Sequence, residues 1–124
     1  MRVMVMVKGT KESEEGRLPS KELMEAMGAY NQQLIAAGIM KDGAGLKPTS
    51  RGARVHFSGT DRSVSNGPFS VGKESDILSG FWIWEVKSLE EAIEWAKKCP
   101  NPMPGPSDLE IRPFYEMEDF AGIQ

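Results

Sequence analysis

The sequence predicts one α+β domain: a four-stranded antiparallel sheet, two helices on one face, and a hairpin inserted between the halves. Three observations predict it. The pattern of elements reads strand, helix, strand, hairpin, then strand, helix, strand. Two segments, 2–8 and 81–86, are apolar on both strand faces, so neither face of their sheet suits open water. The chain has 124 residues, the length of a single domain spanning 1–124.

The first strand is Arg2–Lys8, with Val3, Val5 and Val7 on one face and Met4 and Met6 on the other. Gly9–Pro19 is polar and reads as a loop. Ser20 is a helix cap, and Glu22 sits near the positive end of the helix dipole. Leu23, Met27, Tyr30 and Leu34 then form one apolar stripe, and Gly38 ends the helix. Ile39–Leu46 is a glycine-rich strand or bend, and 47–52 a turn region. Ala53–Ser58 alternates, which places Ala53, Val55 and Phe57 inward and Arg54, His56 and Ser58 outward. Ser63–Ser65 returns as its hairpin partner.

Gly80–Val86 is the strongest strand signal, with Trp82 and Trp84 on one face and Phe81 and Ile83 on the other. Ser88 and Glu91 fit a capping box for a helix whose buried stripe is Leu89, Ala92, Ile93 and Ala96. Lys97 and Lys98 suit the helix C-terminus, and Pro100 stops it. Prolines at 100, 102, 104 and 106 stiffen the next connection, and Leu109–Glu116 is the last strand. This order is that of the ferredoxin-like fold. Its helices cover one sheet face, so a second subunit is expected to cover the other, making a homodimer.

Composition excludes several classes. The net charge is −3 and the basic residues are scattered, so direct nucleic-acid binding is not expected. No segment approaches the roughly 20 apolar residues of a membrane span. With no signal-peptide pattern, the expected location is cytoplasmic, which suits the lone Cys99. One cysteine and one histidine do not make up the usual ligand set of a zinc site, and no phosphate loop, dinucleotide fingerprint or nucleophile elbow is present. No cofactor and no metal are expected.

Several segments resemble one family. They are Ser65-Asn66-Gly67-Pro68-Phe69, then Lys73-Glu74, then Gly80-Phe81-Trp82-Ile83-Trp84. Upstream come Ala37-Gly38, Gly45-Leu46-Lys47-Pro48 and Gly52-Ala53-Arg54-Val55, and downstream Glu91–Ala96 with Cys99-Pro100. In order and spacing they resemble the DGPF-motif branch of the YCII-related proteins, over positions 2 to 116. The resemblance implies a dimeric α+β barrel and no settled activity. Some such relatives are linked to sigma factors, which makes sigma-factor association a candidate partnership, and a few are suspected of His–Asp enzyme chemistry. The chain departs from the pattern at Asn66, Val71 and Ala44, where the family commonly carries acidic residues. Acid–base or cation roles that depend on those carboxylates do not transfer.

The candidate site residues follow. His56, the only histidine, is the candidate catalytic acid or base, or else an outward strand residue with only Asp61 near it in sequence. Asn66 and Phe69 belong either to a ligand loop or to a turn that redirects the chain. Lys73 is a pocket residue or part of a solvated pair with Glu74. Trp82 is a stacking surface or a core residue, and Lys8 and Asp42 sit near strand ends where pockets open. Three functions remain open: a homodimer that binds a small, partly apolar molecule, an enzyme using His56 in proton transfer, and a sigma-factor interaction module.

Overall fold

The computed structural model describes residues 1–69 and 73–123, so Val71 lies outside the described residues. Strand β1 (Arg2–Lys8) is followed by a one-turn helix α1 (Lys11–Glu14) and the long helix α2 (Lys21–Ala36). Strand β2 (Met40–Gly45), the hairpin β3 (Ala53–Ser58) and β4 (Asp61–Asn66), strand β5 (Leu78–Glu85), helix α3 (Leu89–Lys97) and strand β6 (Leu109–Pro113) complete it. The main sheet runs β2-β5-β1-β6, antiparallel throughout, and the hairpin forms its own two-stranded sheet. This is the expected α+β, ferredoxin-like architecture.

Alternation along the strands divides the sheet residues. Val3, Val5 and Val7 oppose Trp84, Trp82 and Gly80 on β5, and Pro113, Ile111 and Leu109 on β6. These face the helices, where Val3, Val5, Trp84 and Leu34 lose essentially all contact with solvent. Burying side chains of this size contributes about 1.5–3 kcal/mol each. The Tyr30 hydroxyl donates to the Trp95 carbonyl at 2.6 Å and so ties α2 to α3. Met4, Met6, Phe81 and Ile83 occupy the other face. Met6 is buried there, while Met4, Phe81 and Ile83 are half-buried. No helix among the described residues is long and apolar enough to cross a membrane.

Four details differ from the sequence expectation. The loop after β1 contains α1, closed by reciprocal bonds between Thr10 and Ser13 (Ser13 N–H to Thr10 Oγ1, 3.3 Å; Thr10 N–H to Ser13 Oγ, 2.9 Å). A four-residue helix has no apolar period to detect. On α3 only Ala92 is fully buried; Leu89 and Ile93 are exposed, because the helix rests on the sheet through Ala92 and the half-buried Trp95 and Ala96. Glu91 reaches past the capping Ser88 to accept the Lys87 N–H at 2.8 Å. Finally, Ala53, Val55 and Phe57 do not turn inward: every residue of the hairpin is exposed, Phe57 by 65% and Val64 by 67%. The alternation is real, with Val55 opposite Val64, but neither strand of the hairpin pairs with the main sheet.

Candidate functional site

The apolar stripe of α2 splits along its length. Tyr30 and Leu34, in the C-terminal half, enter the core. Leu23 and Met27, in the N-terminal half, are only half-buried, because the strand surface beneath them is nearly bare. Gly43 and Gly45 on β2 and Gly80 on β5 share the helix-facing side with Trp82, and none carries a side chain to meet the helix. The result is a cleft of about 880 Å³ between α2, β2, the segment around α1 and the proline-rich connection at 102–104.

The cleft is largely apolar. Met24, Met27, Met40 and Met103 line it together with Leu23 and the Trp82 indole. Methionine side chains adapt to irregular shapes, so such a wall tolerates varied occupants. Trp82 packs edge-on against Tyr30, with ring centroids 6.0 Å apart and planes at 79°. Its indole N–H donates to Asn31 Oδ1 at 2.9 Å. The neighbouring Trp84 indole N–H is buried with no acceptor among the described residues. Gly43 is required for this packing, since a Cβ there would lie 2.8 Å from Trp82 Cδ1.

The asparagine–glycine–proline–phenylalanine motif sits behind the cleft as a fastening. A Cβ on Gly67 would fall 1.7 Å from the Thr49 carbonyl oxygen, so only glycine permits this approach. Thr49 Oγ1 accepts the Phe69 N–H at 3.0 Å and donates to Glu14 Oε2 at 2.5 Å, while the Thr49 N–H donates to Glu14 Oε1 at 3.0 Å. The motif thereby holds the 49–51 turn, and through Glu14 the α1 segment that walls the cleft. Gly67→Ala is expected to lower stability by about 1–3 kcal/mol, the usual range for overpacking. Urea unfolding measures it, and a wild-type midpoint would show that the contact is dispensable.

The other sequence candidates fall in different places. Trp82 lines the cleft. Lys8 pairs with Glu110 at 3.6 Å, and Asp42 accepts the Gly43 N–H at 2.8 Å; by alternation both belong to the sheet face opposite the helices. Asn66 closes the hairpin opposite Ala53, and the Phe69 ring lies under the Arg54 guanidinium, 4.1 Å from its carbon. The Lys73 N–H donates to Asp76 Oδ2 at 3.3 Å and starts the turn before β5. His56 is exposed in mid-hairpin opposite Ser63, while Asp61 stands opposite Ser58. Cys99 packs against the core, its thiol donating to the Pro100 carbonyl at 3.2 Å, and burial pushes its pKa up to about 11, away from nucleophilic character. No group of three or more His, Cys, Asp or Glu among the described residues is placed to hold a metal ion.

Sequence reasoning did not single out Asn31, Arg17, Lys47, Met24, Met40 or Met103, all of which line the cleft. Gly28, a glycine inside a helical run, was the available signal.

Comparison with known proteins matches residues 1–115 to the YCII-related domain family. An uncharacterised protein of Rhizobium meliloti (strain 1021) is 31% identical over 94 residues, which cover 76% of this chain and 74% of the relative. Among solved structures, the 5-chloro-2-hydroxyhydroquinone dehydrochlorinase of Burkholderia phenoliruptrix AC1100, in complex with 2,5-dihydroxybenzoquinone, superposes with a TM-score of 0.53. That likeness covers 96% of this chain and 98% of the other at 16% identity, and it is a likeness of fold.

Proposed function

The chain belongs to the YCII-related family, and we propose that this protein is a homodimer that binds a small, partly apolar molecule in the cleft beneath α2. The observation that carries this reading is the pair Gly28 and Gly45. Both line the cleft, and a Cβ on either would meet nothing within 4 Å. Neither has a positive φ, so neither is demanded by backbone conformation. Glycine inside a helix costs about 1 kcal/mol relative to alanine. Two glycines with no conformational duty, on facing walls of one cavity, are accounted for by the space they leave.

The volume of about 880 Å³ falls within the ordinary range for small-molecule sites. The dehydrochlorinase of similar fold is seen with a small planar quinone, which supports small-molecule binding as a use of this architecture; none of its chemistry is carried over. The homodimer rests on the helix-free sheet face, whose Met4, Phe81 and Ile83 are only half-buried in one chain.

The test is a thermal-shift screen of small apolar molecules, read alongside native mass spectrometry of the purified protein. A ligand held at a hundred times its Kd adds about 2.7 kcal/mol to stability. The expected result is a raised Tm with a matching bound mass. A screen in which no compound stabilises the protein removes the reading.

A further inference from the structure

The cleft is polarised along its length, and we infer from this that its ligand is an apolar organic anion with a hydrogen-bond acceptor at its far end. This inference rests on the binding reading above and names the class of molecule.

The lining follows α2 from Ser20 to Asn31. At 1.5 Å per residue, the eleven-residue separation corresponds to about 16 Å. Gly16 lies against Pro48, where a Cβ would be 3.7 Å from Pro48 Cγ. That contact sets the residues next to each, Arg17 and Lys47, at one end of the cleft, the end where α2 begins. Both line it, both are exposed, and neither forms an ion pair among the described residues. Glu12 is the one carboxylate among the described lining residues, so the lining carries an excess of one positive charge. Met24 and Met27 follow along the helix.

Asn31 marks the other end. An indole N–H only donates, so Trp82 dictates which end of the Asn31 amide faces it. The amide oxygen is taken, and Nδ2 has no protein acceptor among the described hydrogen bonds, which leaves its N–H groups to donate into the cleft Asn31 lines. Cations at one end, an apolar middle and a donor at the other match a molecule with a carboxylate or sulfonate head, an apolar body and a distal carbonyl or hydroxyl. Charge-assisted bonds at the cationic end strengthen the preference, and their exposure makes it sensitive to salt.

The experiment uses decanoate, 10-hydroxydecanoate, 1-decanol and decyltrimethylammonium as probes, titrated against the native protein by Trp fluorescence and calorimetry. Decanoate is expected to bind about tenfold more tightly than decanol, and the cationic probe least. The hydroxy acid should bind more tightly than decanoate, and Asn31→Leu should erase that increment. Arg17→Ala with Lys47→Ala should bring the acid-to-alcohol ratio to about one, and Glu12→Gln should raise it. Equal affinity for acid and alcohol in the native protein overturns the anionic head while leaving the binding reading in place. So does an acid preference that survives the double substitution. Binding of none of the probes, in a protein that the compound screen does stabilise, also overturns this class; failure of both experiments removes the cleft reading itself.

Discussion

A protein carrying Gly28→Leu and Gly45→Leu is expected to melt at a higher temperature than the native chain and to lose ligand binding in the cleft. Each half of that result has its own cause. Leucine is a good helix former, and at position 28 it removes most of the roughly 1 kcal/mol cost of a helical glycine. At position 45 it replaces a residue that weakens a strand. Neither site has a positive φ, and at each the first carbon finds open space, so strain does not offset the gain. Together the changes should add about 1–2 kcal/mol, roughly 4–8 °C in Tm for a chain of this length. Both positions line the cleft, so two added side chains there are expected to take up room a ligand needs. Calorimetry in the absence of ligand and titration in its presence separate the effects. A variant that is stabilised and still binds as the native protein does would show that the ligand sits elsewhere. A destabilised variant would show that the space is already used by the fold.

Such a gain in stability with loss of binding explains why the sheet could be read from the sequence and the cleft could not. The strands announce themselves through side chains: Val3, Val5 and Val7 against Trp82 and Trp84 give a period of two that only a sheet satisfies. The capping residues Ser20 and Ser88 mark the helix starts, each accepting a backbone N–H of the first turn. The cleft is made of what is absent. Gly28, Gly45 and Gly80 contribute by having no side chain, and Arg17 and Lys47 come to the same cleft through an approach of Gly16 to Pro48 that no local pattern encodes. The stripe on α2 looks uniform, yet Leu34 is fully buried while Leu23 and Met27 are only half-buried, because the strand beneath changes and the helix does not. The motif at 66–69 was conspicuous, but its partner Thr49 lies about twenty residues upstream, so its fastening role could not be seen. The hairpin shows the limit most clearly: its alternation revealed an apolar face and said nothing about what that face meets.

Charge reversal at Arg112 is expected to separate the proposed dimer, and a second reversal at Asp42 to restore it. On the helix-free face the register sets Asp42, Ile83, Met4 and Arg112 in one row across the sheet. The next row is Ala44, Phe81, Met6 and Glu110. Consider a second copy stacked on this face through a two-fold axis that runs along the strands. Such an axis reverses the order of strands and keeps each row level, so Ile83 meets the partner's Met4 and Phe81 meets the partner's Met6. In the same row Asp42 then meets the partner's Arg112, and by symmetry the contact occurs twice. Neither residue has an ion partner in its own chain among the described residues. Arg112→Asp replaces two attractions by two like-charge contacts, which cost several kcal/mol at an interface. A loss of about 3 kcal/mol raises the dimer Kd about a hundredfold. Sedimentation equilibrium at micromolar concentration should therefore find the native protein dimeric, Arg112→Asp largely monomeric, and Asp42→Arg with Arg112→Asp dimeric again. A native monomer would exclude the homodimer. A dimer that ignores the single reversal would place the interface on another surface, and the exposed Val55, Phe57 and Val64 of the hairpin would be the next to substitute.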